Sequence, residues 1–324
     1  MSTVWKQRPE GGNRFAMWLL RAIACHGGRG LARVLLYPIT LYFMLVRGPE
    51  RRASRAYLSR VLGRPSRWMD TARHIHCFAS VILDRVFLLS GRMDQFQVEV
   101  NGLDQLHAQM DKGQGVLIFG SHLGSFDALR VLAQERPDVQ VKVVLDKAQA
   151  PAMTELLGAL NPQLDQCIID ASMDSTSIVM AIKQAADDGA LVALLVDRTR
   201  PEEPALPAQF LGTQAHFPTS PWLIAAALKV PVVLAFGVYH GRARYSLSFE
   251  TFSEKLEVSR RNRASILGEH IRQYAQRLEH YTRLTPYNWF NFYDFWTTKH
   301  VDATHAAVDA DAAVQRRTAL RRTA

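Results

Sequence analysis

Val116-Leu117-Ile118-Phe119-Gly120-Ser121-His122-Leu123-Gly124-Ser125-Phe126-Asp127 decides how this 324-residue chain is read. Four apolar residues closed by glycine are too few for a buried helix and suit a strand covered on both faces. Ser125 to Gln134 then takes helical spacing. The alternation continues downstream: Val139 to Leu145 is strand-like, and Pro151 to Leu160 is helical, closed by Asn161-Pro162. Cys167 to Ile169 is a further strand. Ser175 opens a helix carrying Ile178, Val179, Ile182 and Ala186, with Gly189 as its stop. Leu191 to Val196 is another continuous apolar strand. Buried strands alternating with helices predict an α/β fold, with a central, mostly parallel mixed sheet flanked by helices.

Beyond residue 200, three prolines (Pro201, Pro204, Pro207) read as a loop, and Ser220-Pro221 opens a helix reaching Lys229. Val232 to Tyr239 and Ala243 to Glu250 form a hairpin around Gly241-Arg242. A long helix from about Val258 to Leu284 precedes an aromatic segment, Pro286 to Trp296. The Ala-, Asp- and Arg-rich end lacks apolar periodicity and is expected to be disordered.

Upstream, two apolar stretches (Phe15 to Cys25 and Val34 to Val46) are separated by Gly27, Gly28 and Gly30. The second is bracketed by Arg33 and Arg47 and is shorter than the ~20 residues a bilayer requires. An N-terminal helical segment lying in the membrane interface fits this pattern; two core helices, or a single span using both stretches that would have to absorb Arg21 and the glycines, are the alternatives. Seven arginines between residues 47 and 67 (Arg47, Arg51, Arg52, Arg55, Arg60, Arg64 and Arg67) form either a surface for anionic headgroups or a solvated helix face. Ala72 to Leu89 has the spacing of a core helix. The expected organisation is a membrane-associating helical region over 1–97, a catalytic domain over 98–300 and a tail over 301–324.

With 39 Lys+Arg against 30 Asp+Glu, the net charge of +9 calls for an anionic partner: nucleic acid, an anionic bilayer or an acidic protein. Cys25, Cys77 and Cys167 are odd in number and far apart, which points to reduced thiols and no zinc site. No serine-nucleophile elbow, zinc-protease helix or phosphate-binding loop occurs. His122 and Asp127 remain. A histidine just past a buried strand, with a carboxylate five positions on, can act as a base whose ring the acid orients. The spacing alone is weak, since 30 acids in 324 residues give 11 histidines about one such match by chance. The placement after a buried strand is the stronger signal. Gly120 and Gly124 would let substrate approach the backbone.

Three blocks in order resemble the lysophospholipid acyltransferase superfamily, in its bacterial lipid A biosynthesis (lauroyl/myristoyl) branch. They are Gly120 to Arg130; Leu194-Leu-Val-Asp-Arg198 with Phe210-Leu-Gly212, Phe217-Pro218 and Val230-Pro-Val-Val233; and Pro286-Tyr-Asn-Trp-Phe290 through Trp296. The resemblance implies an acyltransferase with neither metal nor cofactor. It would work at the cytoplasmic face of the bacterial inner membrane, moving an acyl chain from acyl carrier protein or coenzyme A to a lipid hydroxyl or amine. It also implies His122 as base and Asp127 as its orienting acid. Arg198 would bind phosphate or polarise the thioester, with an ion pair to Asp197 or another carboxylate as the alternative; Lys147 is a weaker candidate for the same role, and Gly212 helps shape the cleft. Asp127 stands where that branch commonly has Glu, which leaves the acceptor open. The expected partners are acyl carrier protein and anionic lipid. Nucleic acid is not expected, because few aromatics interleave with the arginines. A thioester hydrolase using the same pair and a non-catalytic basic membrane-surface protein are the competing readings.

Overall fold

The computed structural model describes residues 28–129, 139–147, 166–200, 203–259 and 261–296. The apolar stretch Phe15 to Cys25, the helix expected over Pro151 to Leu160 and the tail over 301–324 lie outside these residues.

Seven strands form one sheet in the order β1-β9-β8-β2-β5-β3-β4. They are β1 (Gln97–Asn101), β2 (Val116–Gly120), β3 (Val141–Leu145), β4 (Ile168–Asp170), β5 (Leu191–Leu195), β8 (Val232–Gly241) and β9 (Arg244–Ser253). Every pairing is parallel except β8 with β9. This is the expected mostly parallel mixed sheet. The continuous apolar runs occupy its centre, where β2 is buried at every position and β5 and β8 nearly so. The edge strand β1 instead alternates between exposed and half-buried residues.

Side chains of β2 divide between two faces. Leu117 and Phe119 join Tyr274, Leu278 and Ile271 of the long helix α7 (Arg263–Leu284). Val116 and Ile118 pack on the opposite side with Leu247, Phe249 and Leu106, the last from α4 (Leu103–Met110). The helix starting at Ser175 is α5 (Ser175–Asp187), capped by the Asp174 side chain, which accepts from the N–H groups of Thr176 and Ser177. The Ser220-Pro221 signal opens α6 (Ser220–Leu228), ended by left-handed Lys229.

Two expectations are corrected. The three prolines do not mark a loop throughout. Ala205–Phe210 is strand β6, paired antiparallel with β7 (Thr213–Pro218) in a separate two-stranded ribbon. Both strands of a ribbon are edges, so Pro207, which is exposed, forfeits no sheet hydrogen bond. The glycines near residue 28 do not break the second apolar stretch either. A helix runs from Gly28 to Val46 over 19 residues, long and apolar enough to cross a membrane; its regular part is α1 (Leu36–Val46). Glycine inside a helix costs about 1 kcal/mol relative to alanine. Arg29 offsets this by gripping buried Asp84 with both Nε and Nη2, at 2.7 and 2.9 Å.

The helical region before residue 97 packs directly on the sheet. Helix α1 lies along α3 (Trp68–Leu89), which carries Asp84, and α2 (Gly48–Leu62) sends Tyr57 into the main core. The Tyr57 hydroxyl donates to the Pro286 carbonyl at 2.6 Å, so the first and last described segments meet.

Candidate active site

Strands β2 and β5 are adjacent and parallel, in a register that sets Gly120 beside Leu195. Two residues beyond each lie His122 and Asp197, so neighbouring strand ends deliver an imidazole and a carboxylate to the same place. The chain runs from β2 to β3 and β4, returns to β5 on one side of β2, and later lays β8 on the other. Crevices at such reversals, at the carboxyl ends of strands, are where α/β sheets bind ligands.

The Asp197 carboxylate is fully buried and accepts three hydrogen bonds. Nδ1 of His122 lies 2.7 Å from Oδ1, the His122 backbone N–H donates to Oδ2 at 3.0 Å, and the Trp289 indole donates to Oδ2 at 3.0 Å. Burial acts to raise the Asp197 carboxyl, but the His122 charge and hydrogen bond, then Arg198, outweigh it and hold it at about 2. The carboxylate is therefore ionised at neutral pH. An ionised carboxylate is acceptor-only, so the neutral imidazole carries its proton on Nδ1 and leaves Nε2 as an unprotonated base. Nε2 has no hydrogen-bond partner among the described residues, and the side chain is 30% exposed. Desolvation, then the Arg198 guanidinium, pull the imidazole below its ordinary range; Asp197 opposes them without reversing the shift. A base already neutral at pH 7 is competent to take a proton.

The aromatic segment after α7 closes the site from beneath. Phe290 N–H donates to the His122 carbonyl at 2.8 Å, Gly124 N–H to the Asn288 carbonyl at 2.8 Å, and Leu123 bridges Trp289 in antiparallel fashion. Asn288 ties this segment to β8 by exchanging hydrogen bonds with both backbone groups of Tyr239, at 2.8 and 3.1 Å. Arg198 donates from Nη2 to the Phe290 carbonyl at 2.6 Å, and its guanidinium sits 5.4 Å from the centre of the Tyr293 ring.

The structure brings His122 and Arg198 together but gives Asp127 a different partner. Asp127, in a short 3-10 turn (Phe126–Leu129), forms an ion pair with Arg85 of α3 at 2.9 Å. Asp197, not Asp127, meets the His122 ring. Sequence spacing pointed to the near acid because adjacency of strands 75 residues apart leaves no mark in a local motif. The available signal was an acid directly after a second buried strand.

Gly124 also departs from its expected place. Its φ is +59°, and an added Cβ would sit 1.8 Å from the Gly237 carbonyl oxygen, so the group approaching this backbone closely is β8. Gly212 lies with Leu211 in the β6–β7 turn, both at positive φ, where an added Cβ would meet nothing within 4 Å. Positive φ at both positions is turn chemistry. Lys147 follows β3, donating its backbone N–H to Asp170 at 3.3 Å, with β5 standing between β3 and β2. No group of three or more His, Cys, Asp or Glu side chains among the described residues could hold a metal.

A buried carboxylate fixing a histidine at the strand ends of an α/β sheet defines a protein equipped for general-base chemistry. The chain belongs to the bacterial lipid A biosynthesis acyltransferase family, whose model matches residues 68–298. It is thus a member of an acyltransferase family of lipid biosynthesis, as the three sequence blocks implied. The match starts at the first residue of α3, so it takes in part of the helical region as well as the sheet. A comparison with curated proteins returns no match.

Proposed function

We propose that the protein transfers a fatty acyl chain from a thioester, of acyl carrier protein or coenzyme A, to a hydroxyl or amine of a membrane lipid. The observation that carries this reading is the His122–Asp197 pair, with Nε2 unpartnered among the described residues. In this mechanism Nε2 takes the acceptor's proton as its oxygen or nitrogen attacks the thioester carbonyl. The tetrahedral intermediate then collapses, the carbon–sulfur bond breaks, and the imidazolium returns the proton to the departing thiolate. Asp197 stabilises the transient imidazolium, and Arg198, whose Nε is buried without a partner among the described residues, supplies positive charge beside the developing oxyanion. The net charge of +9 suits an acidic carrier protein.

Labelled acyl groups presented on acyl carrier protein and on coenzyme A, with inner-membrane lipids including lipid A precursors, test this directly. Label should enter a lipid with the native chain and not with folded His122→Ala. Release of free fatty acid without transfer would replace the reading with a hydrolase. No reaction from any donor would remove it.

The site of action in this proposal is the cytoplasmic face of a bacterial inner membrane, with α1 lying in the interface. Ala32, Leu36, Thr40 and Met44 are buried against the protein, whereas Val34, Tyr37, Leu41 and Leu45 are at least half exposed. The inner face is tethered along its length by Arg29 to Asp84, Arg33 to the Tyr239 hydroxyl at 3.0 Å and Thr40 to His76 at 3.2 Å. One face therefore remains for lipid. Trp68 and Met69 are exposed at the start of α3, and Arg52, Arg55 and Arg67 are exposed nearby in sequence. Other arginines of the cluster serve the fold: Arg47 pairs with Glu50, Arg64 with Asp70, and Arg60 lies over Trp296. A Leu41→Asp, Leu45→Asp double variant is expected to lose at least tenfold in binding to anionic vesicles in flotation, since each buried leucine contributes roughly 1.5–3 kcal/mol. Unchanged flotation would remove α1 from the membrane contact.

A further inference from the structure

We propose that Trp289 is a positioning residue for the base: its indole N–H fixes the rotation of the Asp197 carboxylate, which in turn keeps the proton of His122 on Nδ1. The inference rests on His122 acting as the base and assigns Trp289 a part in that site.

A carboxylate can turn about its Cβ–Cγ bond, and only one of its rotations aims an oxygen at the imidazole. Here Oδ2 is pinned by two N–H groups, the backbone of His122 and the indole of Trp289, both at 3.0 Å. Oδ1 is then left facing Nδ1 at 2.7 Å. No arginine or lysine hydrogen-bonds this carboxylate among the described residues. The adjacent Arg198 donates to the Phe290 carbonyl instead. A cation bound directly to Asp197 would compete with the imidazolium for its charge. The neutral indole satisfies a lone pair without doing so.

A buried indole requires an acceptor, and a backbone carbonyl would serve for packing alone. This one takes the carboxylate that holds the base, and it is itself held rigidly. The Trp289 carbonyl accepts from His74 Nε2 at 3.0 Å, and the Ser54 hydroxyl donates to His74 Nδ1 at 2.8 Å. Both bonds suit a single neutral tautomer, and burial lowers His74 to about 4, so that tautomer persists at pH 7. Tyr57, Phe210 and Phe295 meet the indole edge-on at centroid distances of 5.1, 5.1 and 4.9 Å. A run of hydrogen bonds thus connects Ser54 on α2, through His74 and Trp289, to Asp197 and His122.

The full-length chain in detergent, without acyl substrate, provides a test that does not depend on turnover. In a ¹⁵N-tryptophan spectrum, the Trp289 indole signal is identified by its loss in Trp289→Phe. Its proton should resonate far downfield in the native chain and in His122→Ala, and move upfield in Asp197→Asn. In the same Trp289→Phe variant, carbon-labelled histidine should show His122 titrating at lower pH, because the carboxylate, no longer fixed in rotation, supports the imidazolium less well. Acyl transfer should fall about 10- to 100-fold in kcat with KM unchanged, the scale of one hydrogen bond to a charged group. An indole proton indifferent to Asp197→Asn, or a His122 titration identical in native chain and Trp289→Phe, overturns the proposal. If Trp289→Phe does not fold, Trp289→Tyr and Trp289→His supply the same assignment and the same titration. A chain that transfers no acyl group leaves these resonances readable, so failure of the catalytic reading is told apart from failure of this one.

Discussion

Asp197→Asn should cost nearly as much activity as His122→Ala, a loss of about 10²- to 10⁴-fold in acyl transfer. The amide can still fill the space. It cannot stabilise an imidazolium, and its NH₂ can face Nδ1, which favours the opposite tautomer with the proton on Nε2. The titration of His122 separates this role from a merely structural one. Asp197 raises the His122 pKa by its charge and hydrogen bond, so its replacement should lower that pKa further. Asp127→Asn should leave the titration in place, because the Asp127 carboxylate pairs with Arg85. Its effects should appear in stability and in the seating of α3. In the native chain the base must be unprotonated, and its pKa lies below the ordinary imidazole value. Transfer should therefore rise with pH through a limb lying below about 6.5 and stay level above it. A His122 titration equal in the native chain and Asp197→Asn, or displaced by Asp127→Asn, would return the orienting role to Asp127.

Gly124→Ala should be severely damaging, since among the described glycines its added Cβ makes the shortest contact. The added Cβ would lie 1.8 Å from the Gly237 carbonyl oxygen and 2.9 Å from its carbon, at a φ of +59°. Both obstructing atoms are backbone, so no side-chain rotation relieves the clash. Gly237 faces the mirror problem, since a Cβ there would lie 2.3 Å from the Ser125 carbonyl oxygen. Separating the two chains would stretch the bonds from Ser125 N–H to the Gly237 carbonyl and from Gly124 N–H to the Asn288 carbonyl, both 2.8 Å. Unsatisfied buried groups cost about 1–3 kcal/mol each, and the left-handed backbone adds about 1–3 kcal/mol. The total approaches the whole stability of many domains, so loss of folded protein is expected. Gly212→Ala is the control: φ is +77° but nothing lies within 4 Å, so only the backbone strain remains. Denaturation midpoints of the two variants should differ widely, and similar midpoints would contradict the packing argument.

Much of this architecture is written in local pattern. Val116 to Phe119, Leu191 to Val196 and Val232 to Tyr239 are legible as strands because burial on both faces demands unbroken apolar runs. Asp174 and Gly189 frame α5 by side-chain and backbone chemistry confined to a few residues. What escaped was decided elsewhere in the fold. The β6–β7 ribbon tolerates Pro207 because its edges are unpaired, which composition cannot foresee. Helix α1 continues back to Gly28 because Asp84, on another helix, receives Arg29. The partner of His122 lies on the next strand and not on the next turn. Gly124 was expected to admit substrate, whereas the backbone that approaches it is that of β8. His122 itself was legible because its position depends only on where its own strand ends.

The segment that closes the site from beneath also bears on synthesis. A ribosome delivers β2 and β5 well before it delivers Trp289 and Phe290. Until those residues emerge, His122 and Asp197 stand on adjacent strands without the indole and the backbone N–H that complete their setting. A growing or truncated chain would therefore hold the reactive groups but not their alignment. The alignment of the pair therefore awaits the segment Pro286 to Phe290, which is made long after the strands that carry His122 and Asp197.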